Sequence, residues 1–417
     1  MIQKLRLTAT LLLSALIPLA AEAQSISTIR DAEIEATIAR MSEPIFNAAG
    51  LSGDAVEQFI VQDDSLNAFV VGRNMAFHTG LLMRLEDPTE LLGVIAHETG
   101  HIAAGHGVRS VAASRSARGI GIATTILGVA AVAAGAGQAG AAIAAGGTTI
   151  AQRNFLKYSR GQESSADQAA LSYLQTAGID PTGMLVTLKR LRNQEFLSRT
   201  SRDPYVQSHP LSQERIDRLE RRVAGSRYNG TKIDPEMKYW HGRMRAKLSG
   251  FLMPPGRTLR DVADDGSENA LLARAVAYHR APDPRRALQT MQRLLELRPN
   301  DPYYLELLGQ IIFESGDSRS ALGPVRRAVE LAPDEPLIRI MLGQILLSFD
   351  DASTDRAALT ELRKATLLER FDARAWRLLA KAESRAGNEA EAALAGAEFQ
   401  VQRGRFKVGM SSALQMN

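Results

Sequence analysis

Three short sequences in the C-terminal third of the chain recur 34 residues later, and this period constrains the fold more than any other feature. The matching pairs are Ala287-Leu288 with Ala321-Leu322, Pro299-Asn300 with Pro333-Asp334, and Leu308-Gly309-Gln310 with Leu342-Gly343-Gln344. A unit of this length cannot bury its apolar face alone, so successive units must stack. The period therefore predicts helix pairs that stack into a curved solenoid.

The spacing to the next copy of this unit is three residues longer, since Ala328 corresponds to Ala365 and Gly343 to Ala380. The extra residues fit a loop around Asp350–Thr354. Small residues at the helix crossing, an Ala-Leu pair in the second helix and a proline at the end are typical of tetratricopeptide repeats. We predict about four repeats over residues 268–405. Their concave face would bind peptides or partner proteins, and a purely structural role is the alternative.

The N-terminal half contains the pentapeptide His97-Glu98-Thr99-Gly100-His101, preceded by the apolar run Leu91–Ala96. The run predicts a helix. Asp87 suits its N-cap, Pro88 suits its first helical position, and Glu90 would complete a capping box with Asp87. The two histidines then share one face and can ligate one zinc ion, while the glutamate reaches the water that this ion binds. The alternative is an ordinary core helix with a chance match.

A catalytic zinc ion needs a third protein ligand besides an open position for water. A third histidine six residues after His101 would fall on Gly107. On a continuing helix, His106 would lie on the opposite side from His97, so we assign it to packing or to a supporting position behind the ligands.

A downstream helix offers a carboxylate as the third ligand. Glu163 and Asp167 are four residues apart and would share a face, so Glu163 can ligate zinc while Asp167 orients a histidine. The small residues Ser164, Ser165 and Ala166 would allow close packing against the first helix. A solvated acidic face is the alternative.

The first 23 residues differ in character from the rest of the chain. Lys4 and Arg6 precede an apolar stretch, and Ala21-Glu22-Ala23 fits a cleavage site before Gln24. We interpret residues 1–23 as a signal peptide, and an N-terminal anchor is the alternative. The chain has no cysteine, which excludes disulfides and cysteine metal ligands. These features predict a protein of the bacterial periplasm, soluble or peripherally attached.

The remaining pattern divides the chain into domains. Apolar residues at helical spacing predict two helices within residues 34–60, with Pro44 bending the first. Residues 66–71 and 74–78 predict a strand pair, and we assign His78 on it to packing or to the rim of the site rather than to the metal. Further helices are predicted near 154–176 and 212–223. We expect one domain over 24–225, then a linker over 226–267 with one helix near Met237–Leu248.

The segment Gly119–Gln152 has no charged residue and is rich in glycine and alanine. Its glycines divide it into halves that are too short to span a membrane singly. Close helix packing within the N-terminal domain is one interpretation, and a flexible lid or a peripheral membrane contact is the other. The formal net charge of +4 is weakly basic and gives no indication of a nucleic acid partner.

The order of these motifs resembles one family of metallopeptidases. The pentapeptide is followed about 60 residues later by Ser159–Asp167 in the pattern SRxxExxAD, then by His209-Pro210 and by Arg215-Ile216. This order is similar to the gluzincin family that includes HtpX and the CAAX prenyl endopeptidase. A signal peptide with C-terminal repeats resembles its periplasmic, BepA-like branch. The resemblance implies a mainly α zincin-type metallopeptidase domain with a small β-sheet, followed by an α-solenoid.

The resemblance also implies roles for the residues that match its motifs. His97, His101 and Glu163 would ligate one zinc ion, and Glu98 would be the general base. Ser165 departs from the glutamate that many members carry here, which removes a charge but no assigned ligand.

Three further residues match the later motifs of the family. Asp167 would support a ligand or handle a proton, and Arg215 fits the arginine of the Arg-Ile pair that follows the later histidine. That histidine, His209, would either donate a hydrogen bond to the oxyanion or occupy the open zinc position and hold the site latent.

The predicted function is therefore zinc-dependent peptide-bond hydrolysis in the periplasm. The resemblance implies misfolded or stalled envelope proteins as clients, and outer-membrane β-barrel proteins and their assembly machinery as partners that the repeats recruit. A chaperone or adaptor with a latent protease site is one alternative. An integral membrane protease, which depends on the segment Gly119–Gln152, is another.

Overall fold

The structure, a computed structural model, describes residues 27–106, 160–197, 209 and 212–414. The predicted signal peptide and the segment Gly119–Gln152 lie outside these residues. Across the described ranges, no helix combines the length and the apolar character that a membrane crossing requires.

The N-terminal part contains a four-stranded sheet in the order β1-β2-β4-β3. Its strands are β1 (Thr28–Ile29), β2 (Glu57–Val61), β3 (Ala68–Val71) and β4 (Asn74–His78). β2 and β4 run parallel, and the two other pairs are antiparallel. The predicted strand pair is confirmed as β3 and β4, with β3 at one edge of the sheet. The helix α1 (Ala32–Ala48) follows β1 and contains Pro44, as predicted.

The prediction of a second helix that ends near residue 60 is wrong. Gly53–Ala55 form a single 3-10 turn, and the chain then enters β2. Val56, Phe59 and Ile60 have helical spacing, but they are β-branched or aromatic side chains that suit a pleated surface. Because all five residues of β2 pair with β4, sheet pairing prevails over the local period.

Five helices surround the sheet and complete this part of the described chain. They are α2 (Thr79–Arg84), α3 (Pro88–Ala103), α4 (160–176), α5 (Thr182–Leu197) and α6 (Gln213–Ala224). α5 was not predicted, although its buried Met184, Leu188 and Leu191 have helical spacing. It packs directly on α3 and helps to bury that helix.

The predicted linker contains two helices rather than one, α7 (Pro235–Leu252) and α8 (Pro255–Asp261). α7 packs against α1 on one side and the first repeat helix on the other. Its Arg243 is fully buried, with Nε 2.6 Å from Oε1 of Glu33 and Nη1 2.5 Å from Oδ2 of Asp301. Lys247 is also buried, 2.8 Å from Asp31. The linker segment is therefore a packed junction between the two parts.

The C-terminal part is an α-solenoid of four helix pairs within the described residues. The pairs are α9 (Glu268–Arg280) with α10 (Pro284–Leu297), α11 (Pro302–Glu314) with α12 (Ser318–Leu331), α13 (Pro336–Leu346) with α14 (Ala352–Leu368), and α15 (Ala373–Arg385) with α16 (Glu389–Leu414). The repeated glycines lie where the helices of a pair cross. A Cβ atom on Gly309 would stand 2.1 Å from Val325, and one on Gly343 would stand 2.6 Å from Leu362. The 34-residue period thus marks close contacts between the helices of a pair.

Candidate active site

The helix α3 places two histidines on one buried face. Its N-terminus is fixed as predicted, by an Asp87 capping box with Glu90 and by Pro88 in the first turn. His97 and His101 lie one turn apart, with their Nε2 atoms 3.1 Å from each other. The helix therefore directs both imidazoles toward a single point.

The helix α4 adds a carboxylate to this point. Oε2 of Glu163 lies 3.3 Å from Nε2 of His97, and Oε1 lies 3.2 Å from Nε2 of His101. The approach depends on Gly100, since a Cβ atom there would stand 2.9 Å from the carbonyl oxygen of Ala166. The small residues of both helices thus allow the close packing that the sequence suggested.

His209 completes a four-residue cluster. Its Nδ1 lies 3.2 Å from both carboxylate oxygens of Glu163 and 3.4 Å from Nε2 of His97. One ligand atom from each of His97, His101, Glu163 and His209 lies within 4.8 Å of the others, and all four residues are buried. Three imidazole nitrogens and one carboxylate oxygen form a donor set that zinc prefers.

Two further residues hold the cluster from behind. Oδ1 of Asp167 lies 3.0 Å from Nδ1 of His97, the ring nitrogen that faces away from the cluster. Arg215 contacts both acidic residues, with Nε 2.6 Å from Oδ2 of Asp167 and Nη1 2.8 Å from Oε2 of Glu163. These contacts fix the orientation of the His97 ring and of the Glu163 carboxylate.

Glu98 follows the first histidine and is completely buried. Neither of its carboxylate oxygens accepts a hydrogen bond from the residues that the structure describes. The nearest ring is that of His209, with Nε2 3.4 Å from Oε1. A buried carboxylate beside a cluster of possible metal ligands is placed to accept a proton from a reacting group.

The charges of the cavity favour a bound cation. Glu98, Glu163 and Asp167 supply three buried carboxylates and Arg215 one guanidinium, which leaves a formal charge of −2 for these four described residues. Burial by itself would lower the pKa of His97, but Asp167 and Glu163 outweigh it and raise this pKa to about 9. A divalent metal ion would supply the positive charge that these carboxylates favour. The donor set and its charge therefore both fit zinc.

The other histidines of this part lie outside the cluster. His78 is buried on β4, with Nδ1 2.7 Å from Oγ of Ser65, which agrees with the packing role predicted for it. His106 contacts His101 from behind, with 3.0 Å between their Nδ1 atoms. The expected placement on a continuing helix is wrong because α3 ends at Ala103. His106 nevertheless lies behind a proposed ligand, which is the supporting position assigned to it from the sequence.

Comparisons with known proteins agree with this geometry. Residues 28–223 match the sequence profile of Peptidase family M48. The "Putative beta-barrel assembly-enhancing protease" of Vibrio cholerae is 30% identical over 346 residues, which cover 80% of this chain and 69% of that protein. The "Beta-barrel assembly-enhancing protease" of Escherichia coli is 25% identical over 263 residues, and the aligned part spans about half (53%) of its length.

Among solved structures, that of MamA protein covers 39% of this chain and 84% of that chain, with 16% identity and a TM-score of 0.31. The family assignment comes from the sequence profile and the Vibrio cholerae relative. On these two matches, the chain belongs to peptidase family M48 and is a zinc-dependent metalloendopeptidase.

Proposed function

We propose that His97, His101 and Glu163 hold the zinc ion and that Glu98 is the general base of peptide-bond hydrolysis. The observation that carries this proposal is the convergence of these ligand atoms beside a buried carboxylate that has no hydrogen-bond partner among the described residues. Bound zinc supplies a Lewis acid that polarises the scissile carbonyl and makes water a stronger nucleophile. Glu98 would take a proton from the attacking water and pass it to the leaving amine.

Asp167 and Arg215 act through the ligands in this proposal. Asp167 would hold His97 so that Nε2 faces the metal, and Arg215 would hold both carboxylates in place. Neither side chain needs to touch the substrate. They are therefore positioning residues rather than catalytic ones.

His209 has two candidate roles, and its position supports the latent one. Its Nδ1 reaches the same point as the three proposed ligands, which is where a catalytic zinc site normally keeps an open position for water. In this arrangement His209 would block hydrolysis as a fourth ligand. If it moved away from the metal, its ring could donate a hydrogen bond to the oxyanion instead.

The sheet offers a mode of substrate binding that suits unfolded chains. β3 forms one edge of the sheet and packs against α3, which carries the proposed ligands. An extended polypeptide could add to this edge as a further strand, held mainly by backbone hydrogen bonds. Such binding depends little on side chains, so extended or misfolded polypeptides are the substrates that it fits.

The biological role follows from the relatives and remains our proposal. Both aligned proteins are named beta-barrel assembly-enhancing proteases. We infer that this enzyme acts in the bacterial periplasm on misfolded or stalled outer-membrane proteins. The four helix pairs of the solenoid would recruit these clients or their assembly machinery on the concave face.

A chaperone or adaptor with a latent protease site is the second candidate, and the position of His209 favours it. Complementation of a deletion strain with Glu98→Gln separates the two roles. Full rescue by this variant would assign the function to the repeats, whereas loss of rescue would assign it to proteolysis.

The decisive biochemical test is casein degradation by the chain from Gln24 onward, with zinc content measured in the same samples. If His209 leaves the metal in solution, wild type should contain one zinc ion and degrade casein, and both chelation and Glu98→Gln should abolish degradation. Glu98→Gln should keep its zinc because Glu98 is not a proposed ligand, whereas His101→Ala should lose it. If wild type binds zinc but is inactive, His209→Ala should release activity; failure of that release would contradict the protease proposal.

A further inference from the structure

His106 lies directly behind one of the proposed zinc ligands. Its Nδ1 is 3.0 Å from Nδ1 of His101, and the two rings meet edge to face with centroids 5.0 Å apart. Both side chains are buried. None of the proposed catalytic steps uses this histidine, so its close contact with a ligand needs a separate explanation.

The backbone after α3 is shaped to bring His106 to this position. The helix ends at Ala103, and Gly105 adopts a φ of +63°, in the left-handed region that favours glycine. This turn reverses the chain so that the next side chain points back at His101. Gln162 of α4 donates a hydrogen bond to the backbone carbonyl of His106 at 3.4 Å, which fixes the turn against the helix that carries Glu163.

The ring atoms indicate where the protons must lie. Nε2 of His101 faces the cluster, 3.1 Å from Nε2 of His97 and 3.2 Å from Oε1 of Glu163. A neutral imidazole that ligates a metal through Nε2 carries its hydrogen on Nδ1. That hydrogen points at Nδ1 of His106, which can accept it only if His106 carries its own hydrogen on Nε2.

We propose that His106 is a positioning residue, which accepts a hydrogen bond from His101 and thereby fixes the tautomer and ring orientation that zinc requires. The inference rests on the proposed ligand set, in which His101 binds through Nε2. The two ligating histidines then have different supports, a carboxylate from Asp167 for His97 and a neutral imidazole for His101. The neutral support orients the ligand without adding a further negative charge to a cavity that already contains three carboxylates.

Paired substitutions test this role because they separate the acceptor atom from the bulk of the ring. The amide oxygen of asparagine can occupy the place of Nδ1, whereas the longer glutamine side chain places its amide near the position of Nε2. His106→Asn should therefore preserve the support, and His106→Gln and His106→Ala should not. His78→Ala is the matched control, since His78 is equally buried and bonds through Nδ1 to Ser65 but lies outside the cluster.

The readout is the zinc dissociation constant, measured by competition with a chromogenic chelator, together with the thermal midpoint of each zinc-free protein. We expect His106→Ala and His106→Gln to bind zinc about 10- to 100-fold more weakly than wild type, and His106→Asn to stay within about threefold. His78→Ala should bind zinc as wild type does. If His106→Ala unfolds, the comparison of asparagine with glutamine at matched thermal midpoints still decides the question.

Two outcomes would overturn the inference. One is wild-type zinc affinity in both His106→Ala and His106→Gln; the other is an asparagine variant as weak as these two. His101→Ala distinguishes this failure from a failure of the proposed site. If His101→Ala loses zinc while the His106 variants keep it, only the role of His106 is wrong, and if His101→Ala keeps zinc, the ligand assignment itself is wrong.

Discussion

Arg215 and Asp167 form a two-pronged ion pair behind the proposed zinc ligands, with Nε 2.6 Å from Oδ2 and Nη2 2.8 Å from Oδ1. The two residues come from different helices and are both buried. The same carboxylate lies against the outer nitrogen of His97. The guanidinium therefore fixes an acid that in turn fixes a proposed ligand.

Replacing Arg215 with lysine should lower both zinc affinity and proteolysis. An ammonium group cannot form two parallel hydrogen bonds to a carboxylate, so Asp167 would lose its fixed orientation. We expect a loss of about 10- to 100-fold in kcat/KM and in zinc affinity. Arg222→Lys, an exposed change on the same helix, is the control and should leave both unchanged. Wild-type zinc binding by Arg215→Lys would argue against the positioning role.

Gly100→Ala should separate α3 from α4. The added Cβ atom would stand 2.9 Å from the carbonyl oxygen of Ala166, so the two helices that carry His101 and Glu163 must shift apart. We expect a loss of about 1–3 kcal/mol in the free energy of unfolding, with weaker zinc binding. Urea titration with and without a chelator measures both. Gly161→Ala meets nothing within 4 Å and should not destabilise; equal behaviour of the two variants would refute the argument.

Arg243→Met should destabilise the junction between the two parts of the molecule. The change removes a fully buried guanidinium from Glu33 and Asp301, and it leaves Glu33 with Lys247, 3.3 Å away, as its remaining cationic partner. Removing one member of a buried ion pair costs about 3–5 kcal/mol, and adding Glu33→Gln should recover part of this loss. Arg298→Met is the control, because Arg298 is half exposed and its ion pair with Glu268 contributes at most about 1 kcal/mol. Equilibrium unfolding in urea decides the comparison.

His241 should make the protein less stable as the pH falls. Burial is the main cause that lowers the pKa of this histidine to about 4, and the positive charge of Arg245 lowers it further. The negative charge of Asp87 offsets part of this decrease. Between pH 6.5 and 4 the unfolded chain therefore binds a proton that the folded chain does not. The contribution of neutral His241 to the free energy of unfolding is fully present above pH 6.5. As the pH falls toward 4, up to about 3 kcal/mol of it is lost.

The measurement must be a difference between wild type and His241→Gln. Burial raises the pKa of Glu306 to about 7 and that of Glu335 to about 8, so these acids contribute stability that is lost as the pH rises. Their contribution cancels when the two proteins are compared at each pH. The difference in unfolding free energy should shrink from pH 7 to pH 4.5, and a constant difference would contradict the prediction.

Much of the site could be predicted because its residues obey local rules. His97 with His101, and Glu163 with Asp167, are four residues apart, so each pair shares a helix face before any tertiary contact forms. The capping box at Asp87 fixes where the first helix begins. The 34-residue period predicts the helix pairs in the same way, since each unit repeats one set of local contacts.

The features that the sequence did not reveal depend on long-range pairing or on where a helix stops. The residues of β2 have helical spacing and become a strand only because β4 pairs with them. The direct contact of His106 with His101 forms only because α3 ends before it. Arg243 and Glu33 are 210 residues apart, and no local pattern links them. His209 and Arg215 were assigned from the family resemblance rather than from spacing.

The packed junction at α7 has a consequence for how the enzyme would meet its substrates. A flexible tether would let the repeats and the metal site sample many separations, and the local concentration of a captured chain would fall with tether length. Here the contacts of Arg243 and Lys247 instead fix the solenoid against α1. If the repeats capture a substrate as proposed, its effective concentration at the zinc site would be set by this rigid geometry and by how far the captured segment must extend to reach β3.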